Sequence, residues 1–355
     1  MSRAYSVGID TPSFSDLRTF SLCPRLWYEQ NITKEYVQPE EDYFTYGSLV
    51  DMLLTEPENV PKKFVKVVRR SKDQTGMETV GKINVLKEEI ATLETALAEK
   101  ANKIKEKSLK NKKKDLKELS IQLKAIRSNE KKTQVTASVW DNAHETAEAI
   151  KENPLWKNMI APRIEEGCGT FQLALIAEEI GLKGTLDVFL GPKALVTALK
   201  LFASGNCKLE EVLKVAVDTD PKELASVTIV DIKTCYMLKK FDPRSYAAQL
   251  AIYRAIIEEL TGIKAHAFIL AGDKDSDLKM AQHYQFTPET LDEAISRALD
   301  VKEWFDQSFK AWEEDANVSK AFPAAKTLDG KEQECMRCSV CRHEPFSRNT
   351  EPVIL

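Results

Sequence analysis

The stretch "SVTIVDIKTC", residues 226–235, decides how the rest of the chain is read. Its β-branched residues predict a strand, and strand periodicity places Asp231 and Lys233 on one face, alternating with Val230 and Ile232. A carboxylate and an ammonium carried by an apolar strand are costly to bury unless they pair or do chemistry. Upstream, "LKGTLDVFLG" (182–191) poses the same problem with Asp187, an acid inside an otherwise apolar strand. Two strand-borne acids with a lysine one step along suit a divalent-ion site, because Mg²⁺ takes a few carboxylates and completes its shell with water and phosphate oxygens. A purely structural Asp–Lys pair at a strand edge is the competing reading.

Working outward, "TFQLALIAE" (170–178) and the 182–191 segment predict a strand hairpin. Residues 192–225 hold two short helical patterns around a Ser-Gly-Asn break. A periodic helix is expected over 243–260, a strand over 263–272 and a helix around 288–315. Strands bracketed by helices give an α/β class with a central mixed sheet flanked by helices. Near the start, "TPSFSDLRTFSLCPRLWYEQ" (11–30) offers Ser13 or Ser15 as a cap for a helix carrying Leu17, Phe20 and Trp27, interrupted at Pro24. "YFTYGSLVDMLLTEPE" (43–58) reads as a second helix. Residues 82–128 differ in kind: Leu86, Ile90, Leu93 and Leu97, then Leu116, Leu119, Leu123 and Ile126, recur at helical spacing. From Lys103 to Lys117 the chain carries eight lysines. This predicts an inserted antiparallel helical hairpin with a basic tip, either a solvated arm or one that meets DNA or a partner.

The expected organisation is therefore a helical N-terminal part over 1–80 and the inserted hairpin over 81–130. The main α/β body follows over 131–325, with a helical insertion at 192–225, and a cysteine-rich tail over 326–355. At 355 residues the chain can bury a large core. Its net charge of −4 argues against wholesale polyanion binding but allows a local basic groove. No apolar run reaches membrane-spanning length and no signal-peptide core opens the chain, so a cytoplasmic protein with no membrane association is expected. In such a compartment the seven cysteines do not read as a disulfide framework. Cys168, Cys207 and Cys235 read as isolated residues, whereas Cys335, Cys338 and Cys341 fall at even steps in "ECMRCSVCR" and suggest a metal.

In this order, "GTLDVF", "VDIKT" and "SYAAQLAIY" resemble the PD-(D/E)XK nuclease core, and more narrowly the RecE-like and RecB-like exonucleases, which include phage enzymes and CRISPR-associated adaptation nucleases. The resemblance implies a restriction-endonuclease-like fold. It makes Asp187 and Asp231 ligands of Mg²⁺ or Mn²⁺, with the Ile232 carbonyl as an additional oxygen, and gives Lys233 the attacking water or the developing charge. Gln249 and Tyr253, one helical turn apart, match the family's Q-x-x-x-Y motif and would position the DNA strand. "FSDLRTFSLCPRLWYEQ" and "YGSLVDMLLTEP" are similar to the family's N-terminal helices. In the second of these the family has a histidine ligand where this chain has Asp51, a harder oxygen donor.

In the family's iron–sulfur members one cluster cysteine lies in the N-terminal helix and three lie at the C-terminus. Cys23 with Cys335, Cys338 and Cys341 reproduces that arrangement and implies a [4Fe-4S] cluster joining the chain ends. The tail would then pack on the N-terminal helix. A Zn²⁺ knuckle of the same three cysteines with His343, or unmetallated thiols, stays open. The implied function is a metal-dependent DNA exonuclease acting on duplex ends, with a single strand in its channel, in recombination or repair. A single-strand-annealing recombinase is the partner that this function suggests. The alternatives are a CRISPR-adaptation-type nuclease that trims DNA ends and a non-catalytic DNA-end-binding scaffold; a homo-oligomer stays open.

Overall fold

In the computed structural model, the strand that carries Asp231 is the middle one of five. The structure describes residues 11–34, 42–67, 84–92, 94, 108–117, 132–274, 279–315, 317 and 321. Its principal elements in chain order are α1 (Phe14–Leu22), α2 (Pro24–Tyr28), α3 (Asp42–Thr55), β1 (Phe64–Val67), β2 (Thr133–Thr136) and α4 (Ala137–Glu152). There follow β3 (Gly169–Ala177), β4 (Leu182–Leu190), α5 (Lys193–Ala203), α6 (Leu209–Asp218), β5 (Thr228–Cys235), α7 (Ala247–Thr261), β6 (His266–Asp273), β7 (Ala281–Phe286) and α8 (Pro288–Asp315). They form two compact units, one of residues 1–41 and 145–355, the other of residues 42–144.

The first unit holds the sheet, ordered β3-β4-β5-β6-β7. β5 and β6 run parallel, and the other neighbouring pairs are antiparallel. This is the mixed sheet that the alternation of strands and helices predicts. Its main core gathers Leu173 and Leu175 of β3, Leu182, Leu186 and Phe189 of β4, Ile229 of β5 and Ile269 of β6 against Leu250, Ile256 and Ile257 of α7. On the opposite face Gly272 lets α4 approach β6, since a Cβ there would meet Ile150 Cδ1 at 2.7 Å and Thr146 Cγ2 at 2.8 Å. The Thr146 hydroxyl donates to the Asp273 carbonyl at 2.7 Å on that side.

α1 begins where Ser13 caps it, with the Asp16 carboxylate accepting from the Ser13 backbone N–H in return. It stops at Leu22, and the buried Cys23 caps α2, whose first residue is Pro24. The two helices bring Phe20 and Trp27 against Phe305 and Phe309 of α8, with ring centroids 4.7–6.0 Å apart and edge-on. Fully burying each such ring stabilises the fold by about 1.5–3 kcal/mol. The expected helix over 243–260 begins as a tight 3₁₀ turn, Pro243–Tyr246, with Asp242 accepting from the Arg244 backbone N–H, before α7 proper.

In the second unit β1 and β2 pair in parallel. Residues 84–92 and 108–117 are helical. Ion pairs Lys112–Glu89 at 2.5 Å and Lys113–Glu94 at 2.7 Å bring the two stretches together. Such exposed pairs are individually worth under about 1 kcal/mol, so they report the pairing more than they hold it. No helix among the described residues is long and apolar enough to cross a membrane.

Candidate active site

β4 and β5 pair over three positions only, Leu190 with Thr228, Phe189 with Ile229 and Val188 with Val230. The next pair in that register would be Asp187 with Asp231, and there the backbone ladder ends. The Asp187 carboxylate replaces it, Oδ2 accepting the Ile232 N–H at 2.8 Å. The two acids therefore sit opposite each other at the mouth of a fork between strands.

Asp187 reaches that position through a slip in the strand. Leu182 and Leu186 belong to the main core, and so does Phe189, three residues from Leu186 rather than two or four. Val188 instead pairs with Phe171, whose ring stacks on Trp156 at 5.9 Å. Opposite Asp187, Gln172 drops out of the β3–β4 ladder and takes a left-handed backbone with φ of 49°. A non-glycine residue in that region is strained, and here the strain falls beside a candidate catalytic acid.

Asp231 has no solvent exposure. Lys233 Nζ lies 2.7 Å from its Oδ2, and Gln249 Nε2 donates to its Oδ1 at 3.1 Å. Oδ2 has this charge contact but no aligned hydrogen bond among the described residues. Gln249 Nε2 also donates to the Tyr253 hydroxyl at 2.8 Å, so the Q-x-x-x-Y pair works as one unit. Gly184 of β4 makes room for that tyrosine, because a Cβ there would stand 2.7 Å from Tyr253 Cε1.

The charges of the site set its protonation. Burial pulls the Lys233 pKa down, but Asp231 and Asp187 outweigh it and hold the ammonium well above the usual lysine range. The two carboxylates thus hold Lys233 as a cation in this site. Its Nζ also lies 5.3 Å from the centroid of the Tyr246 ring, a cation–π contact that helps to fix it. Burial, and then the negative charge of Asp231, push the Tyr253 phenol above the ordinary tyrosine range, so it stays protonated and able to donate.

The structure thus brings Asp187, Asp231, Lys233, Gln249 and Tyr253 together in the first unit. Asp51 lies on α3 of the second unit, half-buried, its carbonyl accepting from the Thr55 hydroxyl. Cys23 Sγ accepts the Leu26 N–H at 3.4 Å. Cys335, Cys338, Cys341 and His343 lie outside the described residues. Among the described residues no three His, Cys, Asp or Glu side chains gather as a ready-made metal cage. The donors present are of another kind: two facing carboxylates, one with a buried oxygen that lacks an aligned hydrogen bond. That set fits a hard cation such as Mg²⁺ or Mn²⁺, which binds through one or two carboxylates and completes its shell with water and phosphate oxygens.

Sequence reasoning passes over Tyr246 and Gln172. An aromatic residue at the entrance of the Q-x-x-x-Y helix is a usable signal for the first. Nothing in the sequence announces a positive φ at Gln172.

Comparison with known proteins adds three findings. No curated protein matches the chain. A crystal structure of an Eubacterium rectale protein described as a "Putative exonuclease" aligns with 96% of this chain and 90% of that one, at 14% identity and a TM-score of 0.42. At that score nothing about the activity of this chain follows from it. The family model of the PD-(D/E)XK nuclease superfamily matches residues 11–344, nearly the whole length. The fork with its facing aspartates and paired lysine belongs to a chain that is a member of the PD-(D/E)XK nuclease superfamily.

Proposed function

We propose that this nuclease is a metal-dependent DNA exonuclease that hydrolyses phosphodiester bonds at DNA ends, in recombination or repair. The observation that carries the reading is the facing of Asp187 and Asp231 where the β4–β5 ladder ends, with Lys233 ion-paired to Asp231. Asp187 and Asp231 would hold Mg²⁺ or Mn²⁺, with the Ile232 carbonyl as a further oxygen donor. When bound, the ion supplies Lewis-acid polarisation of the phosphodiester and stabilises charge on the leaving oxygen.

The remaining roles belong to the chain itself. Lys233, cationic at neutral pH, neutralises charge that builds on the phosphoryl oxygens and orients the attacking water. Gln249 fixes the Asp231 carboxylate through its Oδ1 while turning its second N–H to Tyr253. The protonated Tyr253 donates to the DNA backbone. We assign the C-terminal cysteines with Cys23 to an iron–sulfur cluster that ties the chain ends. In favour of this, Cys23 is buried and its sulfur receives a backbone N–H at the N-terminus of α2, a placement that suits a thiolate ligand.

The test compares linear and covalently closed circular duplex DNA, with Mg²⁺ or Mn²⁺ and with a chelator. Progressive loss of linear DNA, intact circles and no reaction under chelation are expected. Circles cut as fast as linear DNA would replace the exonuclease with an endonuclease. Absorption spectroscopy of anaerobically purified protein addresses the cluster: a broad visible band lost in Cys23→Ala supports it, and a colourless protein with stoichiometric zinc removes it.

A further inference from the structure

The connection from β5 to α7, "YMLKKFDPRSY" (236–246), joins the strand of Lys233 to the helix of Gln249. Its first half is a single 3₁₀ turn, Leu238–Lys240. The Lys240 N–H donates to the Met237 carbonyl and the Phe241 N–H to the Leu238 carbonyl, both at 3.0 Å. Residues three apart share one side of a 3₁₀ turn. Here that pair is Leu238 and Phe241, and both pack on the main core, on the α7 side of β5. Lys239 and Lys240 are left with the two outward directions, and both are exposed. Two contacts tie the turn to the end of β6: the Leu238 N–H donates to Asp273 Oδ2 at 3.4 Å, and the Lys274 N–H to the Cys235 carbonyl at 2.9 Å.

The turn lies close to the reacting groups. Lys233 Nζ is 5.3 Å from the centroid of the Tyr246 ring, and that ring stacks on Phe241 at 5.6 Å. The Phe241 ring, next in the chain to the two lysines, is therefore within about 11 Å of the Lys233 ammonium, the axial rise of about three nucleotides of B-form DNA. The local charge is positive although the whole chain carries −4. Asp242, the acid of residues 236–246, is ion-paired with Arg244 at 3.0 Å. The buried Asp273 keeps its charge, and the adjacent Lys274 offsets it. Lys239 and Lys240 remain in excess.

We propose that this turn is a backbone contact for the substrate: Lys239 and Lys240 bind phosphates of the DNA strand a few nucleotides from the scissile bond. Two exposed ammonium groups complement phosphates, and the turn is continuous in the chain with Lys233 on one side and Gln249 on the other. The assignment rests on the DNA-nuclease reading above and adds to it the residues that hold the strand beyond the reacting phosphate.

The test uses the full chain and the double variant Lys239→Gln with Lys240→Gln. On linear duplex DNA with Mg²⁺ its KM is expected to rise about tenfold with kcat nearly unchanged, because contacts outside the reacting centre hold ground state and transition state alike. Binding of a fluorescent single-stranded oligonucleotide, followed by anisotropy under chelation, gives the charge directly. The slope of log K against log salt should fall by about 1.4, the share of two phosphate contacts on a single strand. Lys239→Arg with Lys240→Arg keeps both charges and should keep KM and slope. Both positions are exposed, so the thermal unfolding midpoint of each double variant should match the parent. Lys200→Gln, an exposed lysine of α5, should leave KM and slope unchanged. An unchanged KM or slope in the double glutamine variant would sink the turn as a DNA contact and leave the nuclease function standing. Equal losses in Lys200→Gln would overturn it too, by reducing the effect to general charge. A parent chain that cleaves no DNA overturns both readings.

Discussion

β5 has two unlike flanks. Toward β6 its ladder is continuous over eight pairs, from Thr228 with His266 to Cys235 with Asp273, and most residues of the two strands are buried. Toward β4 the pairing lasts three residues and then opens between Asp187 and Asp231. The first flank is a stability device, in which every backbone group has a strand partner and the side chains fill the core. The second gives up ladder bonds, holds a carboxylate with no solvent exposure and tolerates a left-handed Gln172. Such costs persist where the surrounding fold over-determines them, and the unbroken flank supplies that support. Changes on the two flanks should therefore separate activity from stability.

The largest expected effect is on the open flank. Asp231→Asn should lower DNA hydrolysis by about 10²–10³-fold, the usual cost of losing a preorganised charge at a reacting centre. Lys233→Met should cost comparable activity and also destabilise the fold by about 3–5 kcal/mol, because it leaves Asp231 buried and uncompensated. Equilibrium urea unfolding measures the second part. A Lys233→Met chain as stable as the parent would mean that Asp231 is already compensated by other groups.

That same pair has a pH signature. The folded pKa of Lys233 is raised, so its contribution is complete below the unfolded lysine value of about 10.4 and is lost as pH rises through the folded value. The gap in urea midpoint between parent and Lys233→Met should narrow as pH rises above about 10.4. The rate profile should show no ionisation of Lys233 across the neutral range. A break that disappears in Lys233→Met would restore the lysine as a base.

The closed flank should behave in the opposite way. Ile269→Ala, a fully buried β6 residue, should cost about 2–5 kcal/mol of stability while leaving activity per folded molecule unchanged. Smaller still, Gln172→Gly should stabilise the fold by about 1 kcal/mol, since glycine adopts a positive φ without the steric penalty of a side chain. A destabilised Gln172→Gly would show that the side chain contributes more than its backbone strain costs.

Much of the open flank is legible in the amino-acid sequence. Period-two alternation is enough to put Asp231 and Lys233 on one face, and helical spacing to align Gln249 with Tyr253. β7 escapes such a reading because it is an edge strand whose only fully buried residue is Phe286, so "AQHYQF" carries no apolar alternation. The slip between Leu186 and Asp187 is also hidden, because local pattern does not encode where a ladder ends or which residue takes a positive φ. Cys23 is legible as a buried residue in a capping position; its partnership with the distant cysteines rests on the resemblance.

The most direct test of the fork as the reacting centre is Asp187→Asn, assayed on linear duplex DNA with Mg²⁺. The amide oxygen can still accept the Ile232 N–H, so the fork should keep its shape and the thermal unfolding midpoint should stay within a few degrees of the parent. Only the negative charge is removed. Hydrolysis lower by about 10²–10³-fold in this folded variant is the expected result; full activity in it would contradict the assignment of the β4–β5 fork as the nuclease centre.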